Sequence, residues 1–289
     1  MKEKETILRT KTPHRVFFVD SQRDKKMANA LQKGEHPNEE LLEIARACVK
    51  GKKVVIDIGA HIGTFAIPMT KVAEKVIAFE PSPNAFILLS RNASENNVSL
   101  QLINKGLGSA KGSGMLVVRN VSNAGANTLI PGGDISITTL DSEIAHADFI
   151  KMDVEGMELE VLRGGAELIA RARPVVLFEV NLSQLRAHST SPRALQQFFT
   201  EHRYQLYFPL EQGNLMFARV HSATILTAFI APRAWIFFGE SAPFDLLAVP
   251  KERPLPLPRT SFMKAVRYVI RNNIASKSKR ISAFLHRIF

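Results

Sequence analysis

Hydrophobic and polar positions follow two alternating periods along the middle of the chain. Five short apolar runs, rich in β-branched residues, have the composition of strands buried on both faces of a sheet. Most of them lead through a turn into apolar residues at helical spacing. This alternation predicts an α/β fold with a doubly wound, mostly parallel sheet and helices on both faces. The five runs are residues 54–58, 75–79, 100–103, 148–153 and 173–181.

Two later runs extend the predicted sheet. Residues 204–208 and 246–249 predict an antiparallel pair at the sheet edge, which gives seven strands in a Rossmann-like arrangement. We therefore divide the chain into an N-terminal lid segment 1–50, a central α/β domain 51–250 and a C-terminal extension 251–289.

The N-terminal segment contains a helical pattern at residues 38–50, which starts at the candidate cap Asn38. We expect this helix to pack on the sheet edge and close over the cleft at the strand ends. Contact with a substrate is the alternative. Two other segments each have two interpretations. We interpret residues 122–128 either as the mouth of a substrate site or as a plain surface loop. We interpret residues 224–238 either as a cover over the site or as an oligomer contact.

Acidic side chains stand at the ends of four predicted strands. They are Asp57, Glu80, Asp153 and Glu179. Because the carboxyl ends of parallel strands meet at one edge of a sheet, we expect these carboxylates to lie close together there. Acids scattered over a surface would not coincide with strand ends so regularly.

The first strand runs into a glycine turn with the spacing Asp57-x-Gly59-x-x-x-Gly63. A carboxylate at this turn would repel the pyrophosphate of a dinucleotide, but it suits a cofactor with a cationic end. S-adenosylmethionine carries an ammonium and a sulfonium and meets this requirement. Gly59 suits a tight turn, and Gly63 lets the helix start close to the strand and the ligand. The alternative is that Asp57 caps the next helix.

A second acid supports the same cofactor. Glu80 follows Asp57 by 23 residues, near the spacing at which a carboxylate binds both hydroxyls of a ribose. The alternative is that Glu80 only ends its strand. The predicted cofactor contacts are completed by Ala60, His61, Pro81, Asp153 and, for the adenine, Asn104.

The composition limits the class of protein. The chain has 289 residues, 45% of them hydrophobic, which indicates a globular protein. Its one cysteine, Cys48, excludes an internal disulfide and a cysteine metal cluster. The N-terminus lacks a signal-peptide pattern, and no run reaches the roughly 18 apolar residues of a membrane span. We therefore expect a cytoplasmic protein.

The net charge of +11 is concentrated at the C-terminus. Residues 251–289 hold ten of the 38 Lys and Arg residues but one of the 27 acids. Apolar residues recur between the basic ones at helical spacing, so residues 259–289 predict an amphipathic helix on an anionic membrane surface, peripheral to the inner face of a membrane. A helix docked on the domain and a disordered tail are the alternatives. The nearly neutral body and the lack of interleaved aromatic residues in the tail disfavour nucleic acid.

Several of these motifs, in this order and spacing, resemble one known family. They are Asp57 to Gly63, Phe79-Glu80-Pro81, Asn104 to Gly108, Thr139-Leu140-Asp141 and Ile150 to Glu158. They resemble the FkbM family of S-adenosylmethionine-dependent methyltransferases over residues 50–210. The resemblance implies a class I methyltransferase fold and an O-methyltransferase that acts on a hydroxyl of a sugar, a glycan or a related metabolite. His61 departs from the family pattern, which usually has asparagine there.

A sugar hydroxyl is a poor nucleophile, so a base or a metal is expected to help remove its proton. Asp153, at the end of the fourth strand, is the first candidate for the base; contact with the cofactor ammonium and a helix cap are its alternative roles. Glu155, Glu179 and His61 are the other catalytic candidates. Asp153, Glu155 and Glu179 also offer oxygen ligands for a divalent metal ion, but no spacing motif requires one, and we rank metal-free catalysis first.

Two other functions stay open as alternatives. The first alternative is a methyltransferase that acts on RNA or protein. The second is a non-catalytic methyltransferase-like scaffold that binds a membrane or a partner through its tail. The small charge of the body argues against RNA, and the intact Asp57, Gly59, Gly63 and Glu80 argue against a scaffold. The expected acceptor is a small molecule or a glycan, and the sequence specifies neither its identity nor the oligomeric state.

Overall fold

The structure is a computed structural model that describes residues 6–51, 53–117, 127–211, 215–220, 243–255 and 259–260. The predicted segment 224–238, most of 122–128 and the tail after residue 260 lie outside these described residues. The strands are β1 (Ile7–Lys11), β2 (Val16–Asp20), β3 (Val54–Ile58), β4 (Lys75–Phe79), β5 (Gln101–Ile103), β6 (Gly106–Leu107), β7 (Gly112–Val117), β8 (Thr128–Pro131), β9 (Ile135–Thr138), β10 (Phe149–Met152), β11 (Val175–Val180), β12 (Tyr204–Glu211), β13 (Leu215–Arg219), β14 (Phe244–Pro250) and β15 (Arg259–Thr260). The helices are α1 (Lys25–Gln32), α2 (Glu39–Cys48), α3 (Ala66–Met69), α4 (Pro83–Glu95), α5 (Leu140–Glu143), α6 (Glu158–Arg163), α7 (Ala166–Ala172), α8 (Leu182–Ala187) and α9 (Pro192–Glu201).

The main sheet has the strand order β5-β4-β3-β10-β11-β14-β12-β13-β15. The first five of these strands are parallel. β14 is antiparallel to both of its neighbours, so β12 again runs with the parallel set. The predicted seven-stranded, mostly parallel sheet is thus confirmed, and β13 and β15 extend it. The predicted antiparallel pair is β12 and β14, but β14 lies inside the sheet and not at its edge.

The order of the strands reverses between β3 and β10. From β3 the chain moves outward to β4 and β5, and it then returns to β10 and β11 on the other side. Open α/β sheets bind ligands at such a switch point, beyond the carboxyl ends of the strands. The four residues of β10 are all buried, as a strand covered by helices on both faces requires.

Helices cover both faces of the sheet, as the sequence predicts. One hydrophobic core contains Leu162 of α6 and Phe199 of α9. The core on the other face contains Leu42 of α2 and Met69 of α3. None of the helices within the described residues combines the length and the apolar character that crossing a membrane requires.

The N-terminal segment is tied to the central domain by buried polar contacts. The Asn92 side-chain amide, on α4, donates to the Phe18 carbonyl at 3.1 Å, and its oxygen accepts the Phe18 N–H at 2.6 Å. Asn38 Nδ2, at the start of α2, donates to Thr64 Oγ1 at 3.0 Å. These bonds bring α1 and α2 to the carboxyl ends of the central strands.

A smaller sheet is inserted between β5 and β10. Its strand order is β6-β9-β7-β8. The sequence predicts one added strand, at residues 115–118, but it does not predict a separate sheet. Leu107, Leu116 and Leu129 of this small sheet reach the cavity described below.

Candidate active site

A cavity of about 530 Å³ opens at the carboxyl ends of β3, β4, β10 and β11. The strand ends form one part of its wall. Met27 and Ala30 of α1, Leu41 of α2 and the small sheet form the rest. A cavity of this volume is typical of a small-molecule site, and its wall combines apolar side chains with many charged and polar ones.

The turn after β3 requires glycine at position 59. Gly59 has a φ of +78°, and a Cβ added there would lie 1.9 Å from the backbone oxygen of Asp153. The turn therefore packs directly against the chain that leaves β10. Gly63 has a different role, since its added Cβ would lie 2.6 Å from Leu89 Cδ1. It packs the turn onto α4 and does not line the cavity.

Glu80 is held at the cavity by two backbone N–H groups. Its Oε2 accepts the His61 N–H at 2.7 Å, and its Oε1 accepts the Ser82 N–H at 2.8 Å. Burial raises the pKa of Glu80 to about 7, although both N–H donors oppose the change. Asn104 Nδ2 donates to the Glu80 carbonyl at 2.7 Å, so Asn104 fixes this turn and is not among the lining residues.

His61 links the glycine turn to α1. Its Nε2 lies 3.3 Å from Asp24 Oδ2, and Asp24 caps α1 by accepting the Met27 N–H at 3.1 Å. Burial lowers the pKa of His61 to about 4, so the imidazole is neutral at pH 7. His61 also has a positive φ of 52°, which is uncommon for a residue with a side chain.

Asp57 lies behind the cavity wall and not in it. Its side chain is fully buried, and Lys151 Nζ lies 3.3 Å from its Oδ1. The two residues are register partners on β3 and β10. Burial alone lowers the pKa of Lys151, but the carboxylates of Asp57 and Asp153 outweigh burial and raise that pKa. The ammonium is therefore charged, and it opposes the rise that burial causes in the pKa of Asp57.

Asp153 and Glu155 follow β10 and both line the cavity. The Asp153 side chain is 38% exposed, and its Oδ2 lies 3.8 Å from Lys151 Nζ. Glu155 has a φ of +57°, and Gly156 after it has a φ of +102°. A left-handed backbone at a residue with a side chain is strained, and such strain is frequent at functional sites.

Two further acids close the far side of the cavity. Glu179 on β11 and Asp245 on β14 are register partners across an antiparallel pair. Burial raises the pKa of Glu179 to about 9, and the charges of Asp153 and Asp245 add to this. Burial also raises the pKa of Asp245 to about 7. At neutral pH, Glu179 therefore carries a proton and is able to donate a hydrogen bond.

These pKa values predict how stability depends on pH. In the fold, Glu80, Glu179 and Asp245 keep protons that the unfolded chain releases near pH 4.5 for the two glutamates and near pH 3.8 for the aspartate. The two histidines with a lowered pKa, His36 and His61, are partly buried, and above about pH 7 they are neutral in the fold and mostly neutral in the unfolded chain. Because the folded protein holds more protons on these acids than the unfolded chain does, the free energy of unfolding falls by about 1 kcal/mol or more between pH 7 and 9. Urea unfolding at pH 7 and at pH 9 measures this change. A free energy of unfolding that stays constant or rises would contradict the raised pKa values of these acids.

The predicted metal ligands share this wall of the cavity. Asp153, Glu155 and Glu179 all line it. Within the part of the chain that the structure describes, no group of three or more His, Cys, Asp or Glu side chains is arranged to hold a metal ion. Metal-free catalysis stays our prediction.

Most of the predicted site residues meet at the cavity. Those that line it are Gly59, Ala60, His61, Glu80, Pro81, Asp153, Glu155 and Glu179, whereas Asp57, Gly63 and Asn104 support it from outside. The lining residues that sequence reasoning missed include Asp24, Glu40, Lys151 and Asp245. One signal was available for Lys151: a lysine inside a buried strand requires an acidic partner.

Comparison with known proteins decides the family. The model of the methyltransferase FkbM domain matches residues 57–206, which is more than half of the chain. The chain belongs to the FkbM methyltransferase family. The resemblance seen in the sequence is confirmed, together with the class I methyltransferase fold and S-adenosylmethionine as the methyl donor of this family.

Individual relatives are more distant. The hexuronic acid methyltransferase AglP of Haloferax volcanii is 31% identical over 118 residues, which cover 38% of this chain and 49% of AglP. The methyltransferase sdnD of Sordaria araneosa is 29% identical, with 38% of this chain and 59% of sdnD covered. The chain thus spans about half the length of the curated relatives it matches. A crystal structure of an FkbM methyltransferase from Methylobacillus flagellatus KT is 22% identical, with a TM-score of 0.38 and coverage of 54% of this chain and 39% of that one.

The residues at the cavity fit the donor of the FkbM family. Gly59 lines the cavity with its backbone, while the side that lacks a Cβ packs on the chain after β10. Glu80 is oriented by two N–H donors that leave its carboxyl group in the cavity wall, as a ribose diol requires. Seven acids but only three lysines line the cavity, which suits the net positive charge of S-adenosylmethionine.

Proposed function

We propose that this chain is an O-methyltransferase. It would use S-adenosylmethionine as donor and a hydroxyl of an uncharged sugar or glycan as acceptor. The observation that supports it most is the position of Asp153. Its backbone packs on the Gly59 turn, and its carboxylate is close enough to raise the pKa of both Glu179 and Asp245 in the same cavity. The donor turn and a candidate base are thus adjacent.

The binding part of the reaction is assigned to the turns after β3 and β4. Gly59, Ala60 and Pro81 offer backbone and small side chains to the donor, and the Glu80 carboxyl group would accept hydrogen bonds from the ribose. Bound S-adenosylmethionine supplies a methyl group that is activated by sulfonium. Residues of α1 and α2 in the wall reduce access of water, which would compete with the acceptor.

The proton of the acceptor hydroxyl is assigned to Asp153. Lys151 lies toward its Oδ2, so Oδ1 is the atom that would accept the proton while the acceptor oxygen gains the methyl group. Glu179, protonated at neutral pH, would donate a hydrogen bond that orients another oxygen of the acceptor. General-base assistance of this type typically contributes about 10²- to 10⁴-fold in rate, and positioning adds to it.

The charge of the cavity argues for a neutral acceptor. Asp153, Glu155 and Asp245 present carboxyl groups at the wall beside Glu179, and at pH 8 Asp245 is largely ionised because its pKa is about 7. A hexuronate or a phosphorylated acceptor would bring a second negative charge against them. RNA is disfavoured by the same argument. The relative AglP is named for hexuronic acid, so its acceptor and the one proposed here share the sugar ring and differ in charge.

An acceptor screen at pH 8 tests this function. Transfer of labelled methyl from S-adenosylmethionine is measured on pairs of glycosides that differ only in a CH₂OH or a carboxylate at C6. We expect the neutral glycosides to be methylated with kcat/KM at least about tenfold higher, since like charges in a site of low dielectric repel. Asp245→Asn should reduce this difference, whereas the exposed Glu201→Gln should not. Equal or better use of the hexuronates would contradict the proposal of a neutral acceptor, and no transfer to any hydroxyl would contradict the proposed activity.

A further inference from the structure

Lys151 is the buried cation of the central strand. It lies on β10, between β3 and β11, and is only 5% exposed. Burying an ammonium in an apolar environment is costly unless partners compensate it. Neither the glycine turn nor the candidate base explains by itself why a lysine lies at this position.

Its ammonium lies near three oxygens from two segments of the chain. Nζ donates to the Gly59 carbonyl at 3.1 Å, lies 3.3 Å from Asp57 Oδ1 and lies 3.8 Å from Asp153 Oδ2. The first belongs to the donor turn, the second to the strand before that turn, and the third to the candidate base. One side chain thus connects the two parts of the cavity on which methyl transfer depends.

The backbone places these parts against each other as well. The space where Gly59 would carry a Cβ is filled by the backbone oxygen of Asp153, and the Asp153 N–H donates to the Ile58 carbonyl at 3.0 Å. Backbone contacts fix the two chain segments, but they do not fix the carboxylate of Asp153. Lys151 is the charged group that reaches both the turn and this carboxylate.

We propose that Lys151 is a positioning residue, which holds the Gly59 carbonyl and the Asp153 carboxylate in a fixed relation and so places the donor turn and the base together. Asp57 anchors the ammonium from the buried side. The acid that the sequence pattern assigned to the cofactor therefore acts through Lys151. This inference rests on the proposed function.

The test compares a variant that lacks the whole buried ion pair with one that lacks only the Asp57 carboxylate. Lys151→Ala alone would leave the Asp57 carboxylate buried without its ammonium, which destabilises the fold whatever the role of Lys151 in the site. Asp57→Asn with Lys151→Ala removes both charges, and Asp57→Asn alone is the matched control that keeps the ammonium. Circular dichroism and thermal melting establish that each variant is folded. Binding of S-adenosylhomocysteine is then measured by calorimetry for the wild type and both variants.

The lost part of the side chain is next supplied from solution. Propylammonium has the atoms that Lys151→Ala removes, and propanol has a similar size without the charge. We expect the double variant to bind S-adenosylhomocysteine at least about tenfold more weakly than Asp57→Asn, and propylammonium to restore affinity while propanol does not. If the Lys151 side chain only filled space, either molecule would restore the affinity for S-adenosylhomocysteine.

Three outcomes would overturn the inference. Equal affinity of the double variant and Asp57→Asn would show that the ammonium does not position the turn. Recovery with propanol as well as propylammonium would show that filling the space is sufficient. Absence of binding in the folded wild type would overturn the proposed function and this inference with it, whereas the first two outcomes leave the proposed function intact.

Discussion

Asp153→Asn is expected to lower kcat for methyl transfer by about 10²- to 10⁴-fold, the usual contribution of a general base. Asparagine has nearly the same shape as aspartate, but its amide does not accept the proton of the acceptor hydroxyl. The side chain is partly exposed to the cavity, and Lys151 keeps its nearer partner Asp57 in the variant, so we expect the variant to fold. Single-turnover transfer to an accepted glycoside, with the donor saturating, measures the effect.

Binding of the donor product separates this role from the alternative one. If Asp153 acts as the base, Asp153→Asn should bind S-adenosylhomocysteine within about threefold of the wild type, a difference below 1 kcal/mol. The surface variant Asp134→Asn, at an exposed turn, is the control for loss of an acid as such. A large loss of affinity with an unchanged kcat would instead assign Asp153 to the donor ammonium, the other role that its position allows.

Gly59→Ala is expected to abolish donor binding. The added methyl group would lie 1.9 Å from the Asp153 backbone oxygen, a distance that no side-chain movement relieves, so the turn and the end of β10 must move apart. The left-handed φ of +78° adds a backbone cost of about 1–2 kcal/mol. We expect affinity for S-adenosylhomocysteine to fall at least about 100-fold, together with a lower melting temperature.

Gly51→Ala is the matched control for this substitution. Gly51 has a similar φ of +83°, but its added Cβ meets nothing within 4 Å. It should therefore show the backbone cost without the steric conflict, and donor binding should be unchanged in the folded protein. If both variants bound the donor equally, close packing of the Gly59 turn would not matter for the site.

The sequence predicts the sheet and its functional edge because both depend on local patterns. Apolar runs and glycine turns mark β3, β4, β10 and β11, and an acid near the end of each strand lies at the same edge in the structure. Glu80 and Asp153 follow the last residue of their strands, where the chain turns into the cavity. Their placement follows from strand position alone.

The orientation of Asp57 depends on the register of neighbouring strands. Asp57 is still within β3 and is opposite Lys151 of β10, so its side chain packs between strands and helices. A one-residue change in position reverses the face of a strand on which a side chain lies. Sequence spacing does not resolve that difference. In the structure, Asp57 supports the cavity from behind its wall.

The other missed residues reach the site through long-range topology. Asp245 lies near the start of β14, and the amino end of an antiparallel strand lies beside the carboxyl ends of its parallel neighbours. It therefore joins Glu179, although no local motif marks it. Asp24 reaches His61 because the N-terminal segment is held on α4 by the bond between Phe18 and Asn92, which are 74 residues apart along the chain.

Calorimetric titration of the wild-type protein with S-adenosylmethionine tests the central claim most directly. The claim is that the cavity beside Gly59 and Glu80 holds the donor in this chain. We expect saturable binding with one donor per chain, and we expect the folded Gly59→Ala variant to show none under the same conditions. A folded wild-type protein that does not bind the donor, or a Gly59→Ala variant that binds it as tightly as the wild type, would contradict the account.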